Sequence, residues 1–186
     1  MEALLKIARK VQSHFKDFYL AGGTAIMFRY KHRESYDLDF FYYKDFSKNE
    51  IIKIMTGMFN IDRFDEFPDN IDFYLENTRV SFVFFPFFNI EPLENFKGII
   101  MASDYDIFLN KIYSAGRRIL WKDPYDAAFL YKKYRWDMNR IKTDFERKFT
   151  GQSFEIFLGA LLSFDDYPEI PEWVRITLLE LKKNLD

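Results

Sequence analysis

Asp37 and Asp39 stand one residue apart in the aromatic-rich stretch "YDLDFFYY", and thirteen residues separate them from the pair Gly22-Gly23. Side chains two apart on a strand face the same side, so the two carboxylates point together while Leu38 and Phe40 turn to the core. Like charges at that spacing repel, and burying them unpaired is costly. A divalent cation resolves the conflict, and Mg²⁺ (or Mn²⁺) prefers oxygen ligands such as one or two carboxylates plus substrate phosphates. Gly22-Gly23 joins a strand to a helix and permits close backbone approach. The helix that follows offers unpaired N–H groups and a positive dipole end to an anion, and Thr24 adds a hydroxyl. Phosphates held there reach a metal at Asp37 and Asp39, which is the layout phosphoryl transfer requires. Singly, Asp-x-Asp also fits a solvated strand edge and Gly-Gly a plain turn; the combination is the specific signal.

The elements that must position these groups are legible in the periodicity. Residues 2–16 place Leu4, Leu5, Ile7, Ala8, Val11 and Phe15 at helical spacing. "DFYLAGG" predicts a short strand stopped by the glycines, "TAIMFRYKH" a helix with Thr24 near its N-cap, and "YDLDFFYY" a strand. Ser47 lies three residues before Glu50, a capping-box spacing that opens a helix. "FNIDRFDEF", "NIDFYLE" and "RVSFVFFPF" read as strands. From Ser103 the period changes, and "SDYDIFLNKIYSAG", "DPYDAAFLYKKY", "DMNRIKTDFERKF", "SFEIFLGALLSF" and "PEWVRITLLELKKNL" all read as helices. Asp123 before Pro124 suits an N-cap followed by Pro at the first helical position, and Pro171 suits the same position in the last helix. The expectation is an α/β (α+β) core with a mixed sheet over residues 1–102 and a helical subdomain packed on it over 103–186.

Composition bounds the class. The 186 residues are 48% hydrophobic and 30% charged, as in ordinary soluble domains. There is no Cys, which excludes disulfides and Cys-based metal sites, and two His (His14 and His32) are too few for a His-rich zinc site. No apolar run reaches the roughly 18 residues of a membrane span, and the amphipathic N-terminus lacks a signal peptide's features, which places the protein in the cytoplasm by expectation. The net charge is −2, yet residues 104–150 hold eleven Lys/Arg against seven Asp/Glu. That basic surplus is either a phosphate- or nucleic-acid-binding surface or a set of solvated helix faces.

The run "LAGGTAIMFRYKHRESYDLDFF" resembles the AbiEii-type nucleotidyltransferases, the toxin component of bacterial abortive-infection and toxin–antitoxin pairs, within the polymerase-β-like nucleotidyltransferase superfamily. That family commonly places His-Arg-x-Ser before the Asp-x-Asp; here these are His32, Arg33 and Ser35. "SDYDIFLNKIYSAGRRILWKDPYD" is similar to its second block, matched here by Asp106, Lys111, Arg118, Lys122, Asp123 and Asp126. The resemblance covers roughly residues 18–131 and implies the polymerase-β-like fold, a metal at Asp37 and Asp39, and nucleotide contacts from Gly22, Gly23, Thr24, Arg33, Ser35 and Arg118. It gives Lys111 a phosphate-binding role, against the alternative of an exposed helix lysine. Asp126 either orients Lys111 or Arg118 or acts as a base toward the acceptor hydroxyl. Asp123 is explained as an N-cap, and His32 as structural. Arg118 and Lys122 contact phosphate or nucleic acid, or pair with nearby acids. Many superfamily members carry a third carboxylate on a later strand, whose position here is Ser81; Asp72 on the neighbouring strand is a possible substitute.

What the resemblance implies is transfer of a nucleoside monophosphate from an NTP to an acceptor hydroxyl, with RNA and especially tRNA as acceptor and a cognate antitoxin as partner. Two alternatives stay open: the same fold acting on a small molecule such as an antibiotic hydroxyl, and a non-catalytic nucleotide-binding module, which Ser81 favours.

Overall fold

A computed structural model describes residues 1–183. The chain runs α1 (Glu2–His14), β1 (Tyr19–Ala21), α2 (Gly22–Tyr30), β2 (Asp37–Tyr42), α3 (Lys48–Met58), β3 (Arg63–Glu66), β4 (Asn70–Leu75), β5 (Thr78–Phe84), β6 (Glu94–Phe96) and β7 (Ile99–Met101). The helices α4 (Asp104–Ala115), α5 (Lys122–Tyr134), α6 (Met138–Lys148), α7 (Phe154–Leu161) and α8 (Glu172–Lys183) follow, with a 3-10 turn at Phe164–Asp166. Residues 184 and 185 of the expected last helix lie outside the described residues, and Pro171 stands just before α8 rather than in its first position. Two compact units result: Met1–Phe88 with Pro92–Ser103, and Asn89–Glu91 with the residues from Asp104 onward.

The first unit is built on a seven-stranded mixed sheet in the order β3-β4-β5-β2-β1-β7-β6. β2 pairs parallel with β5 and β1 parallel with β7; the other pairs are antiparallel. Leu20, Leu38, Phe40, Ile71, Phe73, Val80 and Phe82 are fully buried on one face. Phe82 centres this layer, with ring centroids of Phe15 at 4.5 Å, Phe18 at 5.1 Å and Phe73 at 6.0 Å. Each such side chain contributes about 1.5–3 kcal/mol by burial. A one-residue slip of β2 would turn Leu38 and Phe40 out and the two aspartates in, so this layer pins the register. The opposite face therefore carries Asp39, Ser81 and Asp72 in one row, and Asp37, Arg79 and Tyr74 in the next. At α3 the Ser47 side chain accepts the Glu50 N–H at 3.3 Å, the expected cap.

In the second unit α4 lies against α5 and α7, and α5 against α8. Tyr113 stacks on Phe149 at 4.3 Å and on Phe157 at 5.3 Å. Asp106 is fully buried and accepts the N–H groups of Ile90 at 2.8 Å and Glu91 at 2.9 Å, with Lys148 Nζ at 2.5 Å. That clamp is why the three residues Asn89–Glu91 group with the helices. Among the described residues no helix is long and apolar enough to cross a membrane.

Candidate active site

Gly22 does not sit in a turn after a strand; it is the first residue of α2 and follows β1 directly. Its φ is +74°, and a Cβ there would stand 2.9 Å from Asp39 Oδ2. Both facts require glycine. Register explains the closeness, because Ala21 pairs with Asp39 across β1 and β2. The Asp39 carboxylate thus lies at the amino end of α2, where the helix favours negative charge. Gly23 is buried. Thr24 is buried too, and its hydroxyl bonds Ser35 Oγ at 2.8 Å and the Asp37 carbonyl. Thr24 and Ser35 therefore fix the start of β2 from inside the unit. Arg33 donates to the Glu34 carbonyl at 2.9 Å and, with Ser35, Lys31, Tyr36, Met27 and Leu4, lines a cavity of about 320 Å³.

Asp37 and Asp39 keep 38% and 28% of their side-chain surface exposed. Arg79, which sequence reasoning did not single out, faces both. Its Nη2 lies 3.4 Å from Asp37 Oδ2 and 3.7 Å from Asp39 Oδ1, and its Nη1 lies 3.5 Å from Asp72 Oδ2. Burial works against its charge, but Asp39, Asp37 and Asp72 together hold its pKa above the ordinary arginine value. The signal was period two: Arg79 is two residues from Ser81 on β5 and shares its face. Ser81 sits directly beside Asp39 in the register, between it and Asp72. Asp72 accepts from Asn70 Nδ2 at 2.7 Å. Among the described residues no three His, Cys, Asp or Glu side chains are grouped to hold one metal, so Asp72 does not complete a three-carboxylate cage.

The helical unit holds a second cluster of opposite character. Lys111 is buried rather than an exposed helix lysine. Its Nζ reaches Asp123 Oδ1 at 2.8 Å and Asp126 Oδ2 at 2.9 Å, and both carboxylates are fully buried. Arg118 grips Asp123 through Nε at 2.8 Å and Nη2 at 3.1 Å while remaining 55% exposed. Burial opposes the Lys111 ammonium, yet Asp126 and Asp123 keep its pKa above the ordinary lysine value. Burial alone would push the Asp123 carboxyl up, but Lys111 and Arg118 hold it below the ordinary value. Asp123 is not an N-cap: α5 starts at Lys122 with Trp121 as its cap residue, and the Asp123 carboxylate is taken by the two cations. Pro124 is then the third helical residue, tolerated because first-turn N–H groups have no helical acceptor.

The sequence profile of the family described as "Nucleotidyl transferase AbiEii toxin, Type IV TA system" matches residues 4–176. The chain belongs to this AbiEii family of nucleotidyltransferases. A relative from Aquifex aeolicus (strain VF5), an uncharacterized protein, is 34% identical over 157 residues, spanning 82% of this chain and 76% of that one. Two solved Helicobacter pylori structures share the fold at 18% identity and a TM-score of 0.58. One is of a candidate nucleotidyltransferase and the other of JHP933; each covers 98% of this chain, with 90% and 88% of their own chains matched. The family assignment makes this AbiEii protein an enzyme of nucleotidyl transfer.

Proposed function

We propose that this AbiEii protein transfers a nucleoside monophosphate from an NTP to a hydroxyl of RNA, with tRNA the expected acceptor, and that Asp37 and Asp39 hold Mg²⁺ or Mn²⁺ for the step. The observation that carries this reading is the contact between Gly22 and Asp39, which sets an anion-binding helix end against a carboxylate pair. The donor set fits a hard cation, since both ligands are carboxylates and both remain partly open to solvent. When bound, such an ion would neutralise phosphate charge and favour attack at the α-phosphorus. The amino end of α2 takes phosphate oxygens, and Thr24 and Ser35 keep β2 in place beneath it. In the reaction the acceptor oxygen bonds the α-phosphorus, the bond from that phosphorus to the bridging oxygen breaks, pyrophosphate leaves and the hydroxyl proton is released.

In the helical unit Arg118 is the cation presented outward for phosphate or nucleic acid. Lys111 and Asp126 support it through Asp123, and the ion pair of Asp126 with Lys111 favours an orienting role for Asp126 over that of a base toward the acceptor hydroxyl. The basic surplus of α5 and α6 does not add to the RNA argument. Of the seven Lys/Arg in residues 132–148, five are ion-paired: Arg135, Arg140, Lys142, Arg147 and Lys148. Membership of a toxin–antitoxin family supports a cognate antitoxin as partner.

The test incubates the protein with Mg²⁺, each labelled NTP and total RNA, beside Asp39→Ala. Label entering tRNA only with Asp39 intact supports the reading. Tight NTP binding without transfer sinks it in favour of the non-catalytic module, which Ser81 in the third position favours.

A further inference from the structure

The two expected metal ligands are not bare in this fold. β5 runs parallel beside β2, and the register sets Arg79 opposite Asp37 and Ser81 opposite Asp39. The guanidinium is drawn to the face that holds Asp37, Asp39 and Asp72, at 3.4, 3.7 and 3.5 Å. A charge-assisted hydrogen bond to a carboxylate spans only about 2.7–2.9 Å, so Arg79 balances these groups without locking onto any of them. Its buried Nε has no hydrogen-bond partner. Its hydrogen bond to this group of acids is a long one, from Nη1 to Asp72 Oδ2 at 3.5 Å. The side chain keeps 36% of its surface open, which gives it room to move.

We infer that Arg79 is a resident counter-ion of the Asp37–Asp39 pair, seated in place of a divalent cation and displaced when one binds. This rests on the reading of that pair as the metal ligands. Arg79 therefore sets the ion affinity of the site: the ion must outcompete a cation already there.

The experiment titrates Mn²⁺ into the full chain without nucleotide, reading unbound Mn²⁺ by its EPR signal. It compares wild type, Arg79→Met, Arg79→Lys and Asp39→Asn. Arg79→Met is expected to bind Mn²⁺ about tenfold more tightly, a change of about 1.4 kcal/mol. Arg79→Lys, which keeps the charge, stays closer to wild type than Arg79→Met does, and Asp39→Asn loses binding. Equal or weaker binding by Arg79→Met, with Asp39→Asn still defective, overturns the counter-ion role and leaves the metal pair standing. Unchanged binding by Asp39→Asn overturns both. A wild-type readout guards against a variant that does not fold: phenylglyoxal labelling of Arg79, followed by mass spectrometry, rises when Mn²⁺ is added. Labelling that falls or stays level overturns the inference.

Discussion

Two clusters in this protein are made of the same chemical parts, aspartates and basic side chains, and are put together in opposite ways. On the strand face, Asp37 and Asp39 are partly exposed and meet Arg79 only at 3.4–3.7 Å. In the helical unit, Asp123 and Asp126 are fully buried and meet Lys111 and Arg118 at 2.8–2.9 Å. Short, dry contacts of the second kind hold a shape, and removing one partner strands a buried charge. Long, wet contacts of the first kind contribute little to stability and are easily exchanged for another cation. The difference separates acids held loosely at a partly open face from acids locked inside the helices.

Predictions follow from that contrast. Asp39→Asn lowers nucleotidyl transfer by about 10²–10³-fold or more, while urea unfolding shifts by under about 1 kcal/mol. A large stability loss would break the comparison. Lys111→Met acts on the other cluster and destabilises the fold by about 3–5 kcal/mol, measured by urea unfolding. The pH dependence of this pair has a definite sign. Asp123, held low, adds stability above the unfolded carboxylate value of about 3.9 and loses it as pH falls through its lower folded value. Lys111, held high, adds stability below the unfolded lysine value of about 10.4 and loses it as pH rises through its higher folded value. Stability curves of wild type and Lys111→Met should therefore differ across the span between and converge toward both extremes.

Gly22→Ala is intermediate. It forces a side chain into positive φ and against Asp39, costing about 1–3 kcal/mol in thermal unfolding and moving the carboxylate, so activity falls with it. Ser81→Ala is the smallest. If Ser81 is only a spacer between Asp39 and Asp72, transfer stays within roughly threefold of wild type; a deeper loss in the labelled-NTP assay would make Ser81 part of the open cluster's chemistry.

Where local chemistry decides, the sequence was readable. The Ser47 cap, the shared face of Asp37 and Asp39 and the run of helices after Ser103 rest on spacing alone. The β6–β7 hairpin was not seen, because its strands are three residues each and its turn uses Lys97 and Gly98 at φ +52° and +85° in place of an Asn-Gly or Asp-Gly signal. Arg79 was missed because one arginine near the start of an apolar strand resembles an edge charge until the register shows what faces it. The cap assigned to Asp123 failed for a related reason: a carboxylate before a proline looks local, while its partner Lys111 is twelve residues away. In both cases the partner across space, invisible in a window of sequence, decides the role.

The clamp at Asp106 has a consequence for how this chain can be inherited. The backbone leaves the sheet unit at Asn89, returns at Pro92 and leaves again at Asp104. A gene cut at the last crossing would yield a helical piece without Ile90 and Glu91, stripping Asp106 of two backbone donors. A piece starting at residue 104 should therefore unfold at lower urea than one that keeps residues 89–91.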